Sequence, residues 1–304
     1  MTAIGAEEKA AVMRVLDSGV LSGFLAGQLY GGPEVNALEE EWAAHFGFKH
    51  AVAMNSATSC LIAACGAVGV GTYSQVVVPS LTMSATAAAP KFWGGDVIFC
   101  DIEPDYFCLD PKKVRDIPVV NAIITVDLFG QSSNPNLNSW SLFYDDTPII
   151  QDASQRPIPG GFGDIVVHSL NYHKHIHCGE GGMACTNDDE LAKKLRLIRN
   201  HAENAGVDYF GFNFRMTEIE AAIARVQLTK LPAEIQRRQE NARFIRDLAP
   251  VRPGFDHAWY LYPHTTRIPE GFRYAKPLYN LPVFSAESLP VTEQVWKSIW
   301  MTRP

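Results

Sequence analysis

Five short apolar segments recur along the chain: Gln75–Val78, Asp96–Cys100, Ala122–Val126, Pro148–Gln151 and Ile165–Leu170. Other elements separate them, and most run apolar without alternation. Strands of that kind are buried on both faces, which is the pattern of an α/β sheet and not of a half-exposed antiparallel one. His50–Met54 is an earlier apolar strand. It runs through Asn-Ser-Ala-Thr-Ser into the helical pattern CLIAACGAVG. Residues 6–17 read as a first helix, ended by Ser18-Gly19, and a glycine-rich loop follows from Ser22 to Gly32, with Phe24 and Tyr30 in it. Pro33 suits the first turn of a second helix, and Gly47 suits its end. An amphipathic helix is expected over 188–200 and another from 217 to 230, where Thr217 and Glu220 have capping-box spacing. That pattern extends through Gln236 to Leu248, and from Pro250 onward no clear period remains.

Composition narrows the function classes. With 304 residues, 47% of them hydrophobic and 19% charged, the chain can bury a sizeable core in one large or two ordinary domains. A net charge of −7 disfavours nucleic-acid and anionic-membrane partners. No apolar run approaches the ~18 residues of a membrane span, and the N-terminus lacks the basic start and apolar core of a secretion signal. Cys60, Cys65, Cys100, Cys108, Cys178 and Cys185 form no C-x-x-C pair. They read as reduced core thiols, and a cytoplasmic protein is expected.

Four places carry chemistry. Asn55-Ser56-Ala57-Thr58-Ser59 joins a strand to a helix, where small residues leave backbone N–H groups to hold a phosphate; an ordinary Ser/Thr cap is the alternative. Asp152 directly follows the apolar segment Pro148–Gln151, at the strand end where α/β sheets bind ligands, or else it is a turn residue. Gln155 lies close enough to share that place. Lys174 comes just after Ile165–Leu170 and before Gly179-Glu-Gly-Gly182. A buried lysine loses its charge readily and becomes a nucleophile for aldehydes; an ordinary solvated surface lysine is the alternative. His173, His175 and His177 alternate around it, but no recognisable ligand set is completed and no metal is expected. Gly211-Phe-Asn213-Phe-Arg215 precedes the capped helix and reads, by itself, as a loop.

In this order, a phosphate cradle, a strand-end aspartate and a lysine past another strand resemble the aspartate-aminotransferase type of pyridoxal phosphate enzyme. The details resemble one family more closely, the DegT/DnrJ/EryC1/StrS sugar aminotransferases. The resemblance runs from about residue 4 to about residue 300 and is carried by SGVLSGFL, GGPEVNALEEEW, NSATS, VPSLTMSATAAA, CDIEPDYFCLD, DLFGQ, QDASQ, SLNYHKHIHCGEGGMACTND, LRLIRNHAEN, GFNFRMTEIEAAIARVQL and KPLYNLPVF.

The resemblance implies the α/β fold of type I pyridoxal phosphate-dependent transferases: a large, mixed but mostly parallel sheet flanked by helices, with a reduced C-terminal domain. It implies a cofactor-binding domain over residues 1–230 and a shortened small domain over 231–304, reduced around Tyr260–Lys276 and at the end. Lys174 matches the family's cofactor-linking lysine, and Asp152 matches the partner of the pyridine nitrogen. Gln155 matches the residue near the phenolic oxygen. Ala57, Thr58 and Ser169 match the phosphate cradle, and Asn213 matches an asparagine reaching the phosphate from the neighbouring subunit. Met83 stands where an aromatic residue usually covers the ring, and Asp127 stands where histidine is more usual. The implied activity is transfer of an amino group, with glutamate as the expected donor, to a nucleotide-linked keto sugar in amino sugar biosynthesis. Pyridoxal 5′-phosphate is the implied cofactor, and a homodimer with shared active sites is the implied assembly. A dehydratase-like enzyme on the same scaffold, or a cofactor-binding protein with little catalysis, are the alternatives. Lys174 argues against the first, because such relatives typically replace the lysine by histidine.

Overall fold

The computed structural model describes residues 3–133, 147–203, 210–268, 271–284 and 287–304. In chain order the elements are α1 (Ala6–Ser18), α2 (Pro33–Phe46), β1 (His50–Met54), α3 (Ala57–Ala67), β2 (Gln75–Pro79), α4 (Ala85–Phe92), β3 (Asp96–Cys100) and α5 (Pro111–Val114). Then follow β4 (Ala122–Val126), β5 (Ile149–Asp152), β6 (Ile165–Ser169), β7 (Gly182–Thr186), α6 (Asp189–Arg199), α7 (Glu218–Ala242), β8 (Tyr262–His264), α8 (Pro290–Ser298) and β9 (Trp300–Thr302). Across the seven-stranded sheet the order is β1-β7-β6-β5-β4-β2-β3, and β8 with β9 form a separate pair. The mixed, mostly parallel α/β sheet expected from the sequence is therefore present. Among the described residues no helix is long and apolar enough to cross a membrane.

The helix ends are set locally. Gly19 and Gly47 close α1 and α2 at φ +71° and +78°, a left-handed region that glycine enters without a Cβ penalty. The capping box forms: Thr217 N–H donates to Glu220 Oε2 at 2.9 Å, and Glu220 N–H donates to Thr217 Oγ1 at 3.3 Å. From there α7 continues without a break through Pro232 and ends at Ala242, short of the expected Leu248.

The described chain divides into two compact units, Met1–Gly69 with Pro159–Ile235 and Val70–Ile158 with Gln236–Pro304. In the first unit β7 lies between β1 and β6 and is antiparallel to both. This strand was not expected from the sequence. Its first residue, Gly182, pairs with Met54 on one side and Ser169 on the other. A buried ion pair joins α6 to α2 and ties both to β1: Arg199 donates to Glu39, and also to the carbonyls of Ala53 (2.9 Å) and Leu29 (2.7 Å). Glu39 in turn accepts the N–H of Ala53 at 2.9 Å. A buried carboxylate needs this degree of pairing to offset its lost hydration.

In the second unit β5, β4, β2 and β3 are parallel neighbours, with Val126 opposite Asp152 and Val76 opposite both Val97 and Ala122. Parallel strands put their carboxyl ends at one edge, the place where such sheets bind ligands. The segment after Pro250 is held by polar contacts. Asp101 accepts from Val291 N–H, Thr292 N–H and Thr292 Oγ1 at 3.0, 2.8 and 2.6 Å, fixing the start of α8, and Arg252 pairs with Glu103. All six cysteines are buried and unbridged. Burial pushes the thiol of Cys100 up to about 12 and those of Cys65, Cys108, Cys178 and Cys185 higher still.

Candidate active site

In the first unit, Ala57 and Thr58 open α3 directly after β1. The hydroxyl of Ser56 accepts Ser59 N–H at 3.0 Å, and its carbonyl accepts Cys60 N–H at 3.1 Å. The N–H groups of Ala57 and Thr58 take no partner among the described residues, so they are the free donors at a helix start that favours an anion. Gly182 faces them. A Cβ built there would lie 2.5 Å from Ala57 N and 2.6 Å from the carbonyl carbon of Ser56. Only a residue without a side chain leaves this cradle open. Ser169 pairs with that same Gly182 and carries its hydroxyl at the end of β6. The start of α3, the missing side chain and the hydroxyl together fit a phosphate.

Lys174 is half-buried on the loop between β6 and β7. The loop is closed on itself. Leu170 N–H donates to Gly181, Tyr172 N–H to Gly179, and Lys174 N–H to Asn171, at 2.9, 2.8 and 2.9 Å. Asn171 ties it to the cradle through its N–H on the Ser169 hydroxyl, 3.3 Å away. His175 and His177 are buried in this loop, whereas His173 is exposed, so the alternating histidines do not share a strand face. Asn213 is exposed, and its carbonyl accepts the side chain of Asn55 at 3.5 Å. Arg215 bridges to Met54 at the end of β1. The sequence-derived positions 57, 58, 169, 174 and 213 thus converge on linked elements of one unit.

The second unit carries the other three. Asp152 ends β5, is buried, and accepts Ser154 N–H at 3.1 Å. Gln155 is also buried; its Oε1 accepts Phe129 N–H at 2.7 Å, and its Nε2 donates to the hydroxyl of Tyr274 at 3.1 Å. Met83 stands on the loop after β2, half-exposed, with its sulfur accepting Ala85 N–H at 3.4 Å.

Asp127 follows β4 and is fully buried. Its Oδ1 accepts from Ser133 N–H (2.8 Å) and Oγ (2.6 Å), and its Oδ2 accepts from Gln151 Nε2 (2.8 Å). The Arg156 guanidinium is 3.9 Å away. Burial pushes the Asp127 carboxyl up, against the opposing pull of Arg156 and these donors. Its own N–H donates to the Asp152 carbonyl at 3.0 Å. Asp127 is therefore a buried anchor for the strand that presents Asp152. Sequence reading gave Tyr274 no role, because it sits 119 residues from Gln155 in a stretch without periodicity.

A family model described as the DegT/DnrJ/EryC1/StrS aminotransferase family matches residues 2–267. The spore coat polysaccharide biosynthesis protein SpsC of Bacillus subtilis (strain 168) is 32% identical over 297 residues, covering 85% of this chain and 73% of that protein. The GDP-perosamine synthase of Caulobacter vibrioides is 35% identical over 214 residues, covering 66% of this chain and 58% of that protein. Among solved structures, DesV of S. venezuelae superposes with a TM-score of 0.87 at 27% identity, over 98% of this chain and 89% of that one. The chain belongs to the DegT/DnrJ/EryC1/StrS aminotransferase family.

Proposed function

We propose that the protein is a pyridoxal 5′-phosphate-dependent aminotransferase that moves an amino group from an amino acid, glutamate being the expected donor, to a nucleotide-linked keto sugar. The observation that carries this reading is Lys174 on a closed loop tied through Asn171 to Ser169, beside the Ala57–Gly182 cradle, in a member of an aminotransferase family. When bound, the cofactor supplies an electron sink that makes the donor's α-proton removable. In this reading the N–H groups of Ala57 and Thr58 and the hydroxyl of Ser169 bind the phosphate, and the partner subunit's Asn213 adds a donor to it. Asp152 would keep the pyridine nitrogen protonated, Gln155 would serve the phenolic oxygen, and Met83 would supply an apolar contact to the ring. Lys174, once freed, would hold and move the proton of the donor's α-carbon, as general base and then acid.

Amino sugar formation is supported by the relatives that the chain matches, one of them a GDP-perosamine synthase. The presence of Lys174 favours transamination over the dehydratase-like alternative. A homodimer, a cytoplasmic location and a division into a cofactor-binding domain over 1–230 and a small domain over 231–304 belong to the same proposal. The test is to load the protein with pyridoxal phosphate and add an amino donor without acceptor. The visible band should give way to that of the aminated cofactor, and a nucleotide-linked keto sugar should restore it. A band that glutamate and other amino acids leave unchanged overturns the reading.

A further inference from the structure

We infer that Tyr274 is a positioning residue for Gln155 and, through it, for the phenolic oxygen of the cofactor; the inference rests on the cofactor reading above. The contacts that carry it lie within the second unit. Phe129 N–H can only donate, so the Gln155 atom 2.7 Å from it must be the carbonyl oxygen. That fixes the other end of the amide as NH2, with two hydrogens to give. One goes to the Tyr274 hydroxyl at 3.1 Å. The second is left to point at an acceptor brought by a bound molecule.

Both anchors are rigid. Phe129 is held at φ +60°, a region a phenylalanine rarely enters, with its carbonyl accepting Tyr260 N–H at 2.9 Å. The Tyr274 ring stands edge-on to Phe129, centroids 5.0 Å apart and planes at 89°, and its carbonyl accepts Trp296 Nε1 at 3.4 Å. An amide fixed at one end swings about that bond. An amide fixed at both ends has its last N–H aimed. Burial, with Tyr260 and Asp152 nearby, pushes the phenol of Tyr274 well above the usual tyrosine range. It therefore stays a neutral hydroxyl, a constant acceptor for the amide.

The experiment is a pH titration of visible absorbance in the pyridoxal phosphate-loaded protein. The cofactor's phenolic oxygen and its nitrogen link to Lys174 share a proton, and an aimed N–H on that oxygen makes the proton easier to lose. Tyr274→Phe keeps the ring and removes only the oxygen. It should move the midpoint of the colour change upward by about half to one pH unit, the size of one ordinary hydrogen bond. Gln155→Ala should move it upward too, and adding Tyr274→Phe to Gln155→Ala should then change nothing more. An unchanged midpoint in Tyr274→Phe, or a shift that persists undiminished in the Gln155→Ala background, overturns the inference. If the wild-type protein gains no visible band on loading, the cofactor reading itself falls and the inference with it.

Discussion

Gly182 shows how much one absent side chain can decide. Three elements meet at it: Met54 of β1, Ser169 of β6 and the start of α3. Gly182→Ala places a methyl 2.5 Å from Ala57 N, so the first turn of α3 must shift. Overpacking of this kind costs about 1–3 kcal/mol. Cofactor affinity, followed by fluorescence titration, should fall by tenfold or more while the circular dichroism of the fold remains. Wild-type affinity in Gly182→Ala would show that the phosphate does not sit there. Lys174 has a chemical test: borohydride reduction of the loaded protein should fix the label on Lys174, and a label on any other lysine removes it from its proposed role. Asp152→Asn conserves size and loses charge, so it should fold normally and turn over roughly 10²–10⁴-fold more slowly. Unchanged turnover would mean that Asp152 is not the ring's partner.

At the level of elements, one buried ionic cluster ties α2 and α6 to β1. Arg199 serves Glu39 and two backbone carbonyls at once, and it is fully buried. Arg199→Met leaves Glu39 with the Ala53 N–H and, as its cationic partner, Arg196 at 3.5 Å. Removing one partner of a buried pair costs about 3–5 kcal/mol, which a lowered urea midpoint would report. A midpoint equal to wild type would mean the pair adds nothing. The elements that could be read from the sequence are those whose signal is local. The parallel strands are apolar on both faces, and the helices carry their own caps at Gly19, Gly47 and Thr217. Strand β7 escaped notice because it begins with a glycine and holds small residues, Ala184 and Cys185; pairing on both sides makes it a strand. The long helix was legible through Pro232 but ends at Ala242, short of Leu248. After Pro250 the strands are only three residues long and the polar ties, such as Asp101 to Thr292, leave no periodic trace. The candidate site follows the same division. Lys174 and Asp152 were visible because each follows a recognisable strand, and Tyr274 was not, because only folding brings it to Gln155.

For the whole molecule, acid is the informative variable. His257 is buried; its Nδ1 accepts Trp259 N–H at 2.9 Å, and the ring stacks on Trp259 at 3.9 Å. Burial, and then the Arg156 charge, pull its pKa from 6.5 down to about 3. Below pH 6.5 the unfolded chain binds a proton that the folded chain refuses, so stability falls as pH drops from 6.5 towards 3. Urea midpoints across that window should decline in the wild type and decline less in His257→Asn; parallel slopes would remove His257 as a cause. The proposed dimer has its own check. The loaded protein should sediment as a dimer at micromolar concentration, and Asn213→Ala should weaken cofactor binding by about 0.5–3 kcal/mol without unfolding. A loaded monomer would exclude shared sites.

The loop from Ser22 to Gly32 has one further consequence. Its ends touch, since a Cβ on Gly23 would fall 2.2 Å from the Cα of Gly32. Its middle is gripped by Asn200 on the carbonyls of Leu25 and Gln28, at 3.0 and 2.9 Å, and by Arg199 on that of Leu29. Carbonyls belong to every residue. The path of the loop is therefore written outside the loop, and the identities of residues 25, 28 and 29 are free to drift without moving it. It behaves as an exchangeable cassette, where new surface chemistry can be tried while the scaffold stays the same.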